Sequence, residues 1–380
     1  MKLLKMANPS VLALISYKVF PAQMGGQKCV TEFYSHLADH TKVVLAVAKE
    51  NHIPQNSSFK VFPFLYNHRK GVLNLRYLYK LARLIKEQGI DIIFIEHSYL
   101  GWLGILLRFI TKKKFVIRSH NIEANRFRDL QKSWWGLYGW YEKSVHRKAD
   151  HSYFITQEDK NWAIAYWQLD ESKCSSATYG TDILQPLSPD VQKQYRTRIS
   201  AQYKLQPATK LFLFNGTLDY LPNLDALRII ISELLPLLQG VRFDYRIIIC
   251  GNRLTAQWIK VLSAHPAIIY AGFVEDIDTY LYGADCFMNP VTLGGGIKTK
   301  LIDALAHNQT SISTRSGAPG IPDTIVGDKL ILVNDYDWPA FVKSMAGLDI
   351  HHHVNTPEAF YTRFNWDTIV QKALLSLPKP

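Results

Sequence analysis

Short apolar runs alternate with longer amphipathic stretches along almost the whole chain, and this alternation leaves few folds open. In the first half the strand candidates are Val11–Ile15 and residues 43–47, 59–62, 92–95, 115–117 and 152–155. Between them lie helical patterns such as "LRYLYKLARLIKEQG" at residues 75–89, which ends on a glycine where a helix C-cap favours one. Parallel strands need crossover helices, and a sheet covered on both faces reads as continuous apolar runs. The pattern lapses over "LQPLSPDVQKQYRTRISAQYKLQPA", which carries three prolines and reads as a connection with a short helix. It resumes through "KLFLFNGT", "YRIIICGN", "AIIYAGF", "ADCFMNP", "TSIST" and "LILV". The expected architecture is α/β, with two doubly wound domains in series. Their bounds are 1–183 and 209–355, with a linker at 184–208 and a terminal helix at 356–380 packing back on the first domain.

At 380 residues the chain is comfortable for two cores. The opening "MKLLKMANPSVLALISYKVFPAQ" mimics a weak signal peptide, but Asn8 and Pro9 break its apolar run, so a buried first strand is expected there. The run "YLGWLGILLRFI" is too short to cross a bilayer. Cys29, Cys174, Cys250 and Cys286 are widely spaced and read as reduced thiols of a cytoplasmic protein.

Charge is unevenly placed. The net charge is +12. Residues 1–180 hold 26 Lys+Arg against 14 Asp+Glu, whereas residues 181–380 hold 18 of each. A basic first half suits an anionic surface or substrate, and a solvated face with no partner accounts for it as well. Within it, "RFRDLQKSWWGLYGWYEKSVHRK" (residues 126–148) mixes three tryptophans with cations. Such a mixture suits a bilayer interface, and core packing explains the aromatics equally well.

Sheets of this kind bind ligands beyond the carboxyl ends of their strands. After the strand "DCFMN" comes "PVTLGGGIKTKLIDALA". Gly294, Gly295 and Gly296 allow close backbone approach, the following helix points its positive end at the same place, and Lys298 and Lys300 add charge. Asp303 lies one to two turns further, where a carboxylate can accept ribose hydroxyls. Together they make a seat for a diphosphate. The alternative is a plain turn entering a helix. Neither "GGGIKTK" nor "PAQMGGQK" matches a Walker A loop or a G-x-G-x-x-G fingerprint. Gly25 and Gly26 open a helix after the first strand, and a loop tip is the competing reading. His120, after "KFVIR", is placed to donate a hydrogen bond to a substrate hydroxyl, and His97 has a similar but weaker placement. The run His351, His352, His353 lacks partner cysteines and reads as a solvated loop. Asp276 and Asp278 read as a helix start rather than a Mg²⁺ seat.

The segments "FNGTLDYLPNLDAL", "IIICGN", "IIYAGFVEDIDTYLYGADCFMNPVTLGGGIKTKLIDALA" and "ILVND" resemble the C-terminal domain of retaining glycosyltransferases of family 4. In the first half the Gly-Gly loop, "HNIEANR", "KADHSYFITQED" and "TYGTDI" are similar to that family too. The resemblance implies the GT-B fold, two Rossmann-like domains facing a cleft, with a nucleotide-activated sugar on the second domain and the acceptor on the first. Carried over by position, Gly294, Gly295, Gly296, Lys298 and Lys300 would hold the diphosphate, with Gly25 and Gly26 closing over it. Asp303 would take the ribose. Gly251, Asn252, Phe273 and Val274 would frame the base, and His120 would contact the transferred sugar or the acceptor. The chain departs from the family in four places. Asp303 stands for a glutamate, Lys298 for an arginine, Gly295 for the first acid of the E-x7-E pattern, and "GTLDYLPN" lacks an Arg/Lys pair.

The resemblance implies a metal-independent, retaining hexosyltransferase of polysaccharide or glycoconjugate synthesis, with no cofactor beyond its donor; it is expected in the cytoplasm, and the basic, tryptophan-bearing first half adds an expected peripheral contact with an anionic membrane. Nucleic acid is not an expected partner. Two other readings stay open. A nucleotide-sugar epimerase of the same fold would need acid/base carboxylates, for which the first-half loops offer Glu96 and Glu123. A non-catalytic basic protein binding nucleic acid would leave the glycine–lysine seat without a purpose.

Overall fold

The structure, a computed structural model, describes residues 8–53, 57–67, 71, 73–350 and 354–379. The His351–His353 run lies outside the described residues. The chain divides into two compact units. One runs to Gly180 and takes in Gly295–Ile297 and Trp366 onward; the other holds Thr181–Gly294 and Lys298–Asn365.

The first unit is built as β1 (Val11–Ile15), α1 (Gly25–His40), β2 (Val43–Ala48), β3 (Lys60–Leu65), α2 (Arg76–Gln88), β4 (Ile92–Glu96), α3 (Gly101–Thr111), β5 (Lys114–Ser119), α4 (Glu123–Asp129), α5 (Trp135–Lys148), β6 (His151–Phe154), α6 (Gln157–Trp167) and β7 (Cys174–Ser176). The seven strands are ordered β3-β2-β1-β4-β5-β6-β7, and every pairing is parallel. The side chains of β1 are wholly buried, as a central strand with helices on both faces requires. Gly89 ends α2 in the left-handed region at φ 61°, the conformation that its Cα hydrogens permit. β7 was not anticipated: three residues, "CSS", offer no apolar run.

The second unit opens with α7 (Pro189–Tyr203), where only a short helix was expected. Proline at its first turn starts it, and Ile199 buries against Gly283, where a Cβ would lie 2.7 Å from Ile199 Cδ1. There follow β8 (Lys210–Asn215), α8 (Leu221–Ile229, continued by a π-helical turn to Leu234), β9 (Tyr245–Cys250), α9 (Ala256–Ser263), β10 (Ile268–Gly272), α10 (Ile277–Gly283), β11 (Cys286–Asn289), α11 (Thr299–Ala306), β12 (Thr310–Thr314), β13 (Leu330–Val333), α12 (Trp338–Ala346) and α13 (Glu358–Phe364). Six parallel strands lie in the order β10-β9-β8-β11-β12-β13. Asp276 caps α10, its carboxylate accepting from Thr279 N at 3.1 Å.

The last helix, α14 (Trp366–Leu375), belongs to the first unit. Its Trp366 stacks on His36 of α1 at 6.3 Å, and Tyr153 Oη donates to Ala373 O at 2.8 Å. All four cysteines are free and buried. Each sheet reverses its winding once, between β1 and β4 and between β8 and β11. Those are the points where an open α/β sheet forms a crevice at its carboxyl edge.

Candidate active site

The glycine–lysine loop leaves β11 of the second unit, and its Gly294 lies on the β8 side of the reversal, against Pro222. Gly294 has φ 82° and Gly296 φ 68°, both in the region that favours glycine, and a Cβ on Gly294 would sit 3.1 Å from Pro222 Cγ. Gly295 is exposed between them. The loop enters α11 through Lys298, an N-cap residue that makes no side-chain cap bond, so it provides no capping oxygen for the helix's first amides. Instead Lys298 Nζ donates to Gly294 O at 2.6 Å, closing the loop.

Lys300 points the other way, into the reversal. Its Nζ donates to Asn223 Oδ1 at 2.9 Å and to Asn215 O at 3.3 Å, and it lies 4.0 Å from the centre of the Phe214 ring. Burial, aided by repulsion from Lys298, pushes its pKa well below the ordinary lysine range. Asp303 follows three positions later, on the same helical face and half-buried. The residues that seat Lys300 come from 77 and 85 positions upstream, so no local pattern announced them.

The base-framing candidates also meet. Gly251 N donates to Gly272 O at 2.7 Å, which ties the ends of β9 and β10 together and sets Gly251 and Asn252 beside Phe273 and Val274. Phe273 is 68% exposed, an apolar ring left to solvent at a strand's carboxyl edge. A Cβ on Gly251 would lie 2.1 Å from Gly216 O, so only glycine allows this approach of β9 to β8.

In the first unit Gly25 and Gly26 begin α1, and a Cβ on Gly26 would meet nothing within 4 Å. Asn51 fixes the preceding loop: its Oδ1 accepts from Val19 N and Phe20 N at 2.7 and 2.8 Å. His120 and His97 stand together at the carboxyl ends of β5 and β4, ring centres 4.5 Å apart.

His120 directly follows the carboxyl end of β5, where the sequence set it. It is buried, and its Nε2 is 2.7 Å from Glu96 Oε2. Glu96 also accepts from Tyr34 Oη at 2.7 Å and from Arg118 Nη1 at 3.3 Å, and burial's upward push on its pKa is outweighed by Arg118 and His120, which bring it to about 2. Arg118 Nη1, which can only donate, also lies 3.1 Å from Nε2, but the shorter contact to the carboxylate favours the proton on that nitrogen. Burial and repulsion from His97 lower His120 to about 4, so the ring is neutral at pH 7. With its N–H directed at Glu96, Nδ1 is the nitrogen left to meet a ligand, as an acceptor. Glu123 is committed too. Burial disfavours its charge, but His97 at 3.4 Å and Arg126 at 2.5 Å hold it well below the usual carboxylate range. Both carboxylates an epimerase would need are therefore held in buried ion pairs.

Two sheets of one winding, each reversing beside a glycine-opened helix, define the GT-B class of two Rossmann-like units. Family models agree: residues 24–183 match Glycosyltransferase Family 4 and residues 209–348 match Glycosyl transferases group 1. The chain belongs to these group 1, family 4-like glycosyltransferases. Among solved structures it is similar to sucrose-phosphate synthase from Thermosynechococcus elongatus, with TM-score 0.73 and 15% identity over 96% of this chain and 97% of that one. It is similar also to the Anabaena protein Alr3699/HepE in complex with UDP, with TM-score 0.70 and 14% identity over 97% and 100%. A further structure of the Anabaena protein contains UDP-glucose. A curated Klebsiella pneumoniae protein, "Uncharacterized 44.6 kDa protein in cps region", is 27% identical over 130 residues, and the chain spans about a third of its length.

Proposed function

We propose that the chain is a metal-independent, retaining glycosyltransferase that moves a sugar from a nucleotide-diphosphate sugar to a saccharide or lipid-linked acceptor. The observation that carries this reading is Lys300, a part-buried amine set at the reversal of the second sheet, in the first turn of a helix whose first amides follow a glycine loop. As the bond between sugar and diphosphate breaks, negative charge grows on the leaving nucleotide. Backbone amides, the start of α11, Lys298 and Lys300 attract that charge more strongly in the transition state than before it. Asp303 takes the ribose, while Gly251, Asn252, Phe273 and Val274 hold the base. Gly25 and Gly26 add amides to the phosphates. The family resemblance supplies the rest: the departing phosphate deprotonates the acceptor hydroxyl on the same sugar face, so no protein nucleophile is needed. His120, through Nδ1, accepts a hydrogen bond from a sugar hydroxyl and fixes its orientation.

The UDP and UDP-glucose of the similar Anabaena structures support a nucleotide-sugar donor. The setting proposed is surface polysaccharide or glycoconjugate synthesis, on the cytoplasmic side of a membrane. Thermal shift with a panel of UDP-, GDP- and ADP-sugars tests the reading. One donor should stabilise the wild type, by roughly 2.7 kcal/mol at a hundredfold excess over its Kd, and not Lys300→Ala. Stabilisation of neither protein by any donor would refute it.

A further inference from the structure

The tryptophans of residues 126–148 are not core residues. Trp134, Trp135 and Trp140 are 43, 42 and 69% exposed, and Leu130 and Leu137 beside them 41 and 73%. All five belong to the helical hairpin of α4 and α5. The hairpin is held by its other face: Glu142, Val145 and His146 are buried, and Glu142 accepts from Glu123 N and Ala124 N at 3.1 and 2.9 Å. Phe127 packs on Trp134 at 4.5 Å and on Tyr138 at 5.0 Å, so the exposed ring stands on a firm aromatic base. The fold therefore displays this apolar surface at a fixed place.

We propose that this hairpin seats the chain on an anionic lipid bilayer, with Leu130, Trp134, Trp135, Leu137 and Trp140 entering the interface. Charge identifies the occupant. The segment holds six cations against two acids, and one of those acids, Glu142, is wholly buried. Arg128 lies 5.9 Å from the Trp135 ring, and the Arg128 and Lys132 side chains are exposed beside the apolar ones. Amphipathic aromatic rings interleaved with cations match the boundary between headgroups and acyl chains, where the rings lose water while the charges meet lipid phosphates. The neighbouring helix α3 continues the theme. Phe109 and Ile110 are exposed, Lys112 Nζ lies 4.8 Å from the centre of the Phe109 ring, and Arg108 Nη1 bonds Lys148 O of α5 at 2.8 Å. The surface lies on the bilayer rather than crossing it: no helix among the described residues is long and apolar enough to span.

Sedimentation of the full chain with vesicles tests the proposal. Vesicles of phosphatidylcholine with about one third phosphatidylglycerol should bind it at least roughly tenfold more tightly than phosphatidylcholine alone, and less as salt rises. The double variant Leu137→Ser/Trp140→Ser should lose roughly tenfold in binding, with its thermal midpoint unchanged because both side chains are exposed. Arg128→Gln/Lys132→Gln, which keeps the apolar surface, should lose affinity for the anionic vesicles alone. Failure to sediment with either vesicle, or equal binding by both double variants and wild type, would overturn the proposal. So would a dimer of the wild type, seen by light scattering, that the serine variant dissolves, since a second copy would then be the occupant. None of these readouts depends on sugar donors, so this proposal and the proposed activity fail separately.

Discussion

Glu96 Oε2 and His120 Nε2 stand 2.7 Å apart, and this bond decides which edge of the ring faces a ligand. Glu96 is itself held by Arg118, whose guanidinium lies 4.1 Å from the Phe33 ring centre and bonds Cys29 O at 3.2 Å. The ring's orientation is thus inherited from a buried ion pair one layer deeper.

Glu96→Gln should be far more damaging than its size suggests. It leaves Arg118 charged and unpaired in the interior, at a cost of roughly 3–5 kcal/mol. His120→Asn keeps the Glu96–Arg118 pair and should cost much less. Urea unfolding of both variants checks the order. Nitrogen NMR of the wild-type imidazole should show His120 protonated at Nε2 and not at Nδ1.

Acid should destabilise the chain well before its exposed carboxylates titrate. Burial lowers His120 to about 4, His146 to about 3 and His151 to about 4, so each takes up its proton more readily when unfolded. Glu142 has the opposite sign: burial raises it to about 8, so the folded chain already holds that proton. Between pH 6 and pH 5 the unfolded chain holds on balance about two more protons than the folded one, a loss of about 2–3 kcal/mol per pH unit. Urea midpoints across this window measure it, and a flat profile would contradict the burial of these rings.

Lys300 should take up a proton when the site fills. With its free-state pKa well below the ordinary range, an arriving diphosphate restores the charged form. Calorimetry in buffers of different ionisation enthalpy should show a net proton uptake on UDP binding that comes from Lys300. Lys300→Ala should abolish the uptake.

Gly294→Ala tests the loop itself. Its φ of 82° should cost an alanine about 1–2 kcal/mol. The melting temperature should fall by a few degrees, and the donor-induced thermal shift should shrink with it.

The sequence displayed the strands of both sheets because central parallel strands are apolar on both faces, as Val11–Ile15 and the run of β4 are. It displayed the Gly89 cap and the glycine–lysine loop because those are local events. It did not display β7, which is short and polar. Nor did it display Asn223 as the seat of Lys300 or Arg118 as the anchor of Glu96. These depend on strands that become neighbours only when the sheet forms. The tryptophans of α5 lay between two readings, since an aromatic stretch looks the same in a list whether it faces a core or a solvent boundary. Glu96, the partner that His120 Nε2 meets at 2.7 Å, lies 24 residues earlier, and no local pattern displayed it.

The four buried cysteines have a practical consequence. Burial lifts the thiols of Cys29, Cys174, Cys250 and Cys286, Cys174 to about 11 and Cys250 to about 12, so at neutral pH the native fold offers a maleimide almost no thiolate. The natural chain is thus a silent background for labelling. One cysteine introduced on the outer face of α5 would carry a dye or spin label alone and report the depth of that helix.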